Sequence, residues 1–550
     1  MIHVARSLKE IRKSYDVVVV GSGYGGGVSA CRLARAGKRV AVLERGREFL
    51  PGDFPQRFPE LKNELQVRGR RIRTGPDTAL YDVRLGDDMH VLVGCGVGGG
   101  SLVNAGVALR PDPRVFADLA WPDEIARDGS LDEGYLRAAQ WLRPMLDPRA
   151  SEMTKFRALK SSTEATGRSP VSPRITVNFA GGLSSGGVEQ RACTRCGDCC
   201  GGCNVGAKTT VTATYLADAV RHAAEVYSHA AVRLVQKSPA GTWCVTVRQL
   251  DGENASIPRD ITIEAGMVIL AAGTLGSTEI LLRSREHGLA VSDRVGSRFS
   301  ANGDIIAFGY GAREPVNAVG IGYPAKVADF EIGAAVSGQI EFRDPHRLDR
   351  ELCVQEGVLP SALAPALPLL FVPNGRLLGA LQSLISGVYN GPFSRLQTFF
   401  AVSHDSASGR LTLDADGLNL TWPGAMHEPV YARLDSVLGA IVGEAGGSYV
   451  KNPLAGTVMG AKPATAHPLG GARHLERIAV PDHDVGCLAG CDRTHLVGNA
   501  EDAGGCERER LDACGIGQPA RYGEAGIIAH LADAVAGVVA ADRNLDPRCL

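Results

Sequence analysis

The first strongly patterned stretch of the chain runs from residue 15 to residue 46. Four consecutive valines, Val17 to Val20, are typical of a buried parallel strand, and the apolar residues between Arg39 and Leu43 indicate a second one. Between them, apolar residues recur with helical spacing from Val28 to Ala36, and Gly37 is a helix stop signal. The pattern therefore predicts a strand–helix–strand unit.

The turn between the first strand and the helix carries the pattern G-x-G-x-x-G. Its first glycine permits a tight turn, the second lets the backbone approach a pyrophosphate, and the third lets the helix pack against the strand. An acid ends the second strand, where it can accept hydrogen bonds from ribose hydroxyls. An ordinary glycine-rich turn is the alternative, but the whole unit favours tightly held FAD over exchanging NAD. The predicted contacts are Gly21, Ser22, Gly23, Tyr24, Gly25, Gly26, Glu44 and Arg45.

Strand and helix patterns return between residues 209 and 290. Helical spacing covers Thr212 to Ala224, whereas Trp243 to Leu250 and Asp260 to Ile263 alternate as an antiparallel pair would. Met267 to Leu270 predict a further strand, which leads through a turn of small residues into a helix. These segments predict a continuation of the nucleotide-binding sheet.

Short alternating segments in the next part of the chain predict a separate sheet. The predicted strands are Ile305–Phe308, Phe330–Ala335, Gln339–Phe342, Leu352–Gly357, Phe399–Ser403, Leu411–Asp414 and Leu418–Trp422. Because a chain of 550 residues exceeds what one core usually supports, two domains are expected.

A second glycine-rich loop, GCGVGGGSLVNAG, spans residues 94–106. Such a loop brings backbone N–H groups against a flat or anionic ligand where a Cβ would collide, although a flexible linker is the alternative. The loop resembles the second flavin-contacting motif of the glucose–methanol–choline (GMC) oxidoreductases, especially their cholesterol-oxidase-like branch. This resemblance implies that FAD is lined by Gly94, Gly96, Gly99, Gly100, Ser101 and Asn104.

Three later segments are similar to the same family. AEVYSHAAVRLV resembles the segment whose backbone reaches the adenine, and AAGTLGS resembles a later motif of the FAD domain. The segment Thr494–Ala500, which contains Gly498, fits the strand of the family's last block. The contacts implied by these segments are Val232, Ala272, Gly273 and Gly498.

The predicted fold is α/β, with a Rossmann-like FAD-binding domain assembled from discontinuous segments and a substrate domain made of a sheet backed by helices. We expect residues 1–110, 205–300 and 456–550 in the FAD-binding domain, 111–204 in a connecting region, and 301–455 in the substrate domain.

Five of the 14 cysteines fall within eleven residues of the connecting region. Cys193, Cys196, Cys199 and Cys203 give the spacing C-x2-C-x2-C-x3-C, which is that of a ferredoxin-type iron–sulfur site. The usual proline after the last cysteine is missing. Structural thiols and a zinc site are the alternatives.

His467 lies in HPLGG, which matches a block of the family. The resemblance implies that its imidazole accepts or orients the proton of a substrate hydroxyl while hydride leaves for flavin N5. A capping or core histidine is the alternative. Glu356, amid apolar neighbours, and Asn499, where the family commonly has Asp, are further catalytic candidates. An acid such as Glu356 is more often solvent-facing or salt-bridged.

Residues 501–521 depart from the family pattern, because they are charged where an apolar helix and a second catalytic residue are expected. The helical pattern returns at Tyr522. Either this member has diverged and uses another partner for His467, or the reading frame has slipped over this stretch.

The composition and the apolar segments indicate which kinds of binding partner and which cellular location to expect. A net charge of −1 and a pI near 6.9 argue against nucleic-acid binding. A polar lead-in and the absence of an 18-residue apolar run predict a cytoplasmic protein. The apolar residues 358–390 are either core packing, a lid over a lipid-like substrate, or a patch that gives peripheral membrane contact.

These features together predict an FAD-dependent oxidoreductase that oxidises the CH–OH group of an apolar alcohol, sterol-like or long-chain. Oxygen or a redox carrier is the expected electron acceptor, and an iron–sulfur cluster would favour a dehydrogenase. A flavin-dependent steroid desaturase and a non-catalytic or damaged flavin-binding homologue are the alternatives.

Overall fold

The computed structural model describes most of the chain as far as residue 472. The described residues are 3–70, 72–117, 121, 129–164, 167–250, 259–327, 332–371, 387–414, 417–451, 462–472 and 538–539.

The described residues form eight α-helices. In chain order they are α1 Tyr24–Arg35, α2 Phe58–Glu64, α3 Ser130–Leu142, α4 Thr154–Thr163, α5 Ala217–Arg221, α6 Gly273–Glu286, α7 Leu367–Phe371 and α8 Pro429–Glu444.

The strands of the same residues fall into five sheets. In chain order they are β1 Ala5–Arg6, β2 Ser14–Val20, β3 Val40–Leu43, β4 Leu65–Gly69, β5 Ile72–Thr74, β6 Tyr81–Leu85, β7 His90–Gly94, β8 Gly182–Leu183, β9 Glu189–Gln190, β10 Glu225–Tyr227, β11 Ala230–Lys237, β12 Trp243–Gln249, β13 Arg259–Leu270, β14 Ile305–Tyr310, β15 Gln339–Phe342, β16 Leu352–Gly357, β17 Gln397–Ser403, β18 Arg410–Asp414, β19 Gly417–Thr421, β20 Ser448–Val450, β21 Ala464–Thr465 and β22 Val538–Val539.

The largest sheet has the order β1-β10-β3-β2-β13-β12-β11, with β22 also paired to β13. The strands from β1 to β13 in that order are parallel, whereas β12 and β11 extend the sheet in antiparallel fashion. The two segments predicted at Asp260–Ile263 and Met267–Leu270 are parts of the single strand β13. Since β2 and β13 run parallel, the turns that follow them meet at one edge of the sheet.

The valine run of β2 is buried on both faces of this sheet. Val17 and Val19 pack with α1 in one core, whereas Val18 and Val20 pack with Trp243 in another. Burial on both faces explains why the strand is continuously apolar. Helix α1 begins at Tyr24, four residues before the predicted start, because the motif glycines form its first turn.

A second sheet, β15-β16-β17-β14-β20, is antiparallel and lies under helix α8. Leu434, Leu438 and Ile441 of α8 share a buried core with Phe399 of β17. A third sheet, β21-β7-β6-β4-β5, places β21 beside β7. Strands β18 and β19 form a separate hairpin instead of joining the second sheet.

One predicted strand of this region is wrong where the structure describes it. Residues 332–335 of the predicted strand Phe330–Ala335 form no strand: Ile332 is helical, Gly333 makes a single bridge to Cys196, and residues 334–335 form a bend. Gly333 has φ +85°, a backbone conformation that an extended strand does not contain. The apolar character of this segment reflects burial and not pairing.

Candidate active site

The two glycine-rich loops meet backbone to backbone at the edge of the largest sheet. A Cβ on Gly99 would lie 2.8 Å from the Cα of Gly23, and Gly99 has φ +56°. A Cβ on Gly46, after β3, would lie 2.4 Å from the amide nitrogen of Gly96. Side chains at these positions would force the loops apart.

The third motif joins the same edge. A Cβ on Gly21 would lie 2.4 Å from the carbonyl oxygen of Ala271, and the amide of Ala271 donates to the Val20 carbonyl at 2.8 Å. The turn between β13 and α6 therefore packs directly on the turn between β2 and α1. Three segments that are distant in sequence form one cradle of backbone.

Glu44 is fixed at the end of β3. Its carboxylate accepts hydrogen bonds from the Ser22 amide at 3.1 Å, the Ser22 hydroxyl at 2.6 Å and the Gly46 amide at 2.8 Å. The Ser22 hydroxyl also accepts a hydrogen bond from the Gly98 amide. The acid thus ties together the two glycine loops, and its contact with a ribose stays a prediction.

Asn104 has a side-chain oxygen in the cradle that is available to accept a hydrogen bond. Its side-chain amide donates to the Tyr24 hydroxyl at 2.9 Å, and burial raises the pKa of Tyr24 to about 12. The amide oxygen of Asn104 is buried without a hydrogen-bond partner among the described residues. Such orphaned polar atoms are rare in native structures, so this oxygen fits a contact to a bound molecule.

The remaining residues that the sequence predicts to contact the cofactor differ in what they contact and in where they lie. The Ser101 hydroxyl donates to the Gly98 carbonyl and accepts from the Val211 amide, so it holds its own loop. Arg45 forms a 2.7 Å ion pair with Asp82. Gly25 and Gly26 lie in α1, Gly94 ends β7, and Val232 lies half-buried in β11, whereas Ala272 is the N-cap of α6 and Gly273 is its first residue. Gly498 and Asn499 lie outside the described residues, as does the stretch 501–521.

The predicted cradle fits a dinucleotide. A Cβ on Gly100 would meet no atom of the described residues within 4 Å, so this part of the loop borders open space. The neighbouring glycines tolerate no side chain, and α1 directs its first amides towards the same edge. These are the surroundings that a pyrophosphate and a flat ring system need.

The segment HPLGG, which contains His467, packs on the amino end of α6. The Thr274 hydroxyl donates to the Pro468 carbonyl at 2.8 Å, and Leu469 exchanges two backbone hydrogen bonds with Ser300. A Cβ on Gly470 would lie 2.0 Å from the Arg298 carbonyl oxygen. The predicted catalytic block therefore lies directly beside the third motif of the cradle.

His467 faces a carboxylate that the sequence does not single out. Its Nδ1 lies 2.8 and 2.9 Å from the two carboxylate oxygens of Asp304. The side chain of His467 is 32% exposed. Burial lowers the pKa of His467, but the Asp304 carboxylate raises it by more, so the pKa lies above its ordinary value of 6.5.

The family model described as GMC oxidoreductase matches residues 15–301, which is just over half of the chain. The chain belongs to the GMC oxidoreductase family. This confirms the resemblance inferred from the glycine loops, and the family binds FAD.

Several relatives within the family carry names of alcohol-oxidising enzymes. A cholesterol oxidase of Mycobacterium tuberculosis is 30% identical over 316 residues, covering 54% of this chain and 53% of that protein. A cholesterol oxidase of Acinetobacter baumannii is 26% identical, covering 59% of each. A long-chain-alcohol oxidase of Arabidopsis thaliana is 28% identical, covering 54% of this chain and 38% of that protein. The chain spans about half the length of the curated relatives it matches.

A solved structure also has the same fold. A fungal aryl-alcohol oxidase aligns with a TM-score of 0.50 and 16% identity over 84% of this chain and 90% of that one. The α/β architecture predicted from the sequence is thereby confirmed.

Glu356, another predicted catalytic residue, is enclosed in the second sheet, on strand β16. Its carboxylate accepts from the Lys155 ammonium at 2.7 and 2.9 Å and from the amides of Ser337 and Gly338 at 2.6 Å. Both side chains are at most 5% exposed. Burial lowers the pKa of Lys155 and raises that of Glu356. The arrangement favours a structural role for Glu356.

The cysteine run lines one cavity. Cys193, Cys196, Cys199 and Cys203 all contribute to its wall, together with apolar residues such as Val177. Each of these cysteines is a free thiol. No three His, Cys, Asp or Glu side chains of the described residues come close enough to hold one metal ion, so these thiols form a preformed site neither for zinc nor for an iron–sulfur cluster.

Lys208 connects this cavity to the backbone cradle. Its ammonium is buried, lines the cavity, and donates to the carbonyl oxygens of Cys199, Leu102 and Asn104. Burial lowers the pKa of Lys208. One buried cation therefore holds the cysteine loop against the second glycine loop.

The apolar stretch 358–390 is partly described. Leu367 and Phe371 of α7 pack in a core with Phe308, Phe393 and Val388. The described ends therefore favour core packing over an exposed lid or patch, while residues 372–386 lie outside the described part. Among the residues that the structure describes, every helix is either too short or too polar to cross a membrane.

Proposed function

We propose that this chain is an FAD-dependent oxidoreductase that oxidises the CH–OH group of an apolar alcohol. The observation that carries the proposal is the position of His467, which is docked through Pro468 on Thr274, beside the backbone cradle. Relatives named cholesterol oxidase and long-chain-alcohol oxidase support a sterol-like or long-chain substrate.

The cofactor would be held by the cradle already described. Gly21, Gly23 and Gly99 would admit the pyrophosphate, Glu44 would accept the ribose hydroxyls, and Asn104 would use its orphaned amide oxygen. Bound FAD supplies a hydride acceptor at N5.

His467 would act on the substrate hydroxyl. Its Nδ1 is engaged by Asp304, and Nε2 has no hydrogen-bond partner among the described residues. A neutral imidazole in this state can accept the hydroxyl proton at Nε2, which makes loss of hydride from the carbinol carbon easier.

Anaerobic titration of the purified flavoprotein with cholesterol and with a long-chain primary alcohol tests this proposal. We expect bleaching of the flavin absorbance by at least one alcohol, and slow bleaching in His467→Ala at equal FAD content. Full FAD occupancy without bleaching by any alcohol would instead support the non-catalytic homologue. Reduction by a 3-ketosteroid, but by no alcohol, would support the desaturase.

We further propose that the four cysteines of the cavity hold an iron–sulfur cluster. The spacing C-x2-C-x2-C-x3-C, the shared cavity and the buried Lys208 support it, since a cluster spreads its thiolates over several iron ions and carries negative charge. Such a cluster carries one electron at a time and would favour a redox carrier over oxygen as the acceptor.

Iron and acid-labile sulfide analysis of anaerobically purified protein tests the cluster. We expect stoichiometric iron and sulfide, a signal in electron paramagnetic resonance, and loss of both in Cys199→Ser. Cys353→Ser, which changes a buried cysteine of β16 that is not part of the cavity wall, is the control. Iron-free protein with a full complement of FAD would support structural thiols.

A further inference from the structure

We propose that Asp304 is a positioning residue that holds the imidazole of His467 with its proton on Nδ1, so that Nε2 is the acceptor nitrogen. The inference rests on the proposed role of His467 as proton acceptor. It assigns a role to an acid that lies 163 residues earlier in the chain.

The contact determines which ring nitrogen carries the proton. Both carboxylate oxygens of Asp304 lie within 2.9 Å of Nδ1, and a carboxylate can only accept. Nδ1 must therefore be the donor. A neutral imidazole carries one N–H, which leaves Nε2 with its lone pair. A carboxylate fulfils this task in Ser-His-Asp triads as well.

Asp304 cannot easily turn away from the ring. Its Oδ2 also accepts from the Ala466 amide and the Thr465 hydroxyl, each at 2.9 Å. The residue is 6% exposed. Three donors, the Thr465 hydroxyl, the Ala466 amide and Nδ1 of His467, thus make four contacts to one buried carboxylate.

The turn that presents Asp304 is itself anchored. Asn302 and Gly303 have φ +58° and +54°, and this left-handed pair reverses the chain immediately before β14. Asp405 accepts from the amides of Ala301 and Gly303 at 2.8 and 3.0 Å. The carboxylate therefore reaches the ring from a rigid support, as a positioning role requires.

A purely structural role would make a different prediction. Asp304 could matter only because it holds the backbone beside His467 through Thr465 and Ala466. Thr465→Val removes part of that support without touching the ring. Asp304→Asn keeps an acceptor for the backbone but offers an amide N–H₂ to Nδ1, which would favour the tautomer protonated on Nε2.

Nitrogen-15 NMR of histidine-labelled protein with FAD bound reads the tautomer directly. The His467 signals are assigned by their loss in His467→Gln. We expect Nδ1 protonated and Nε2 unprotonated in the wild type and in Thr465→Val, and protonated Nε2 in Asp304→Asn. A wild-type ring protonated on Nε2, or an unchanged tautomer in Asp304→Asn, would overturn the inference.

The rate of anaerobic flavin reduction provides the second measurement. We expect it to fall by about 10²-fold or more in Asp304→Asn, and by less than about tenfold in Thr465→Val. Equal losses in both variants would mean that Asp304 only supports the backbone. If the wild type is inert towards every alcohol, the proposed function fails, and the NMR result alone still decides the role of Asp304.

Discussion

The Thr274 hydroxyl donates a 2.8 Å hydrogen bond to the carbonyl oxygen of Pro468. Thr274 belongs to the helix that follows the third motif of the cradle, and Pro468 directly follows His467. This side-chain contact therefore links the segment that carries His467 directly to the helix beside the cradle.

Thr274→Val should weaken this link without changing the shape of the side chain. Loss of a neutral hydrogen bond costs about 1 kcal/mol, so we expect flavin reduction to slow about fivefold while FAD stays bound. Thr278→Val in the same helix is the control, because the buried Thr278 hydroxyl lacks a partner among the described residues. Comparable slowing in both variants would argue against a role for the Pro468 contact.

Gly99→Ala should expel the cofactor. The new Cβ would lie 2.8 Å from the Cα of Gly23, so the two loops would have to separate. We expect loss of FAD on gel filtration, measured as the ratio of flavin to protein absorbance. Gly37→Ala is the control, because φ is +76° there, but no described atom lies within 4 Å. It should cost roughly 1–2 kcal/mol of stability and keep FAD.

Glu356→Gln should affect stability and not chemistry. Removing one partner of a buried ion pair costs about 3–5 kcal/mol, so we expect a clearly lower melting temperature. Glu152→Gln, in an exposed 2.7 Å pair with Arg149, should change stability by less than about 1 kcal/mol. Folded Glu356→Gln protein should reduce its flavin at the wild-type rate. A large loss of that rate would make Glu356 a catalytic residue.

Lys208→Met should loosen the second glycine loop. It removes the donor shared by the carbonyls of Leu102, Asn104 and Cys199, and each unpaired buried carbonyl costs about 1–3 kcal/mol. We expect weaker FAD retention and a lower melting temperature. Lys237→Met is the control, since Lys237 donates to the Gly241 carbonyl at the surface. Full FAD retention in Lys208→Met would contradict the link between the cavity and the cradle.

The pH profile of flavin reduction should report on His467. Only the neutral ring accepts a proton, so the rate should rise with pH through the pKa of His467, which Asp304 raises above 6.5. In Asp304→Asn the carboxylate is lost, so the midpoint of the pH–rate profile should move to lower pH. The rate at the high-pH plateau should also be lower than in the wild type. Stopped-flow measurement of flavin reduction at a series of pH values gives both the midpoint pH and the plateau rate. A midpoint that stays in place would show that another group controls the profile.

The local pattern was sufficient to predict the cradle, because its elements follow from short-range rules. The valines of β2, the glycine turn and Glu44 lie within 30 residues, and each has a recognisable spacing. The regular strand β16 was predicted with its observed bounds for the same reason. Residues 332–335 were misread, because burial alone makes a segment apolar whether or not it is a strand.

Asp304 could not be found in this way. It approaches His467 only because the Asn302-Gly303 turn and the strand pair β7–β21 bring residues 163 positions apart together. No spacing links the two residues in the sequence. Lys155 was missed for the same reason, since it meets Glu356 across 201 positions.

Strand β2 lies between β3 and β13, and this arrangement has a consequence for the order of synthesis. As the chain leaves the ribosome, β2 and β3 emerge together, but the other edge of β2 stays bare until residues 264–270 have been made. The turn at Ala271, which closes the cradle against Gly21, emerges after that. The G-x-G-x-x-G pattern and its acid are thus complete at residue 46, but the nascent chain acquires the cradle only after residue 271 has been translated.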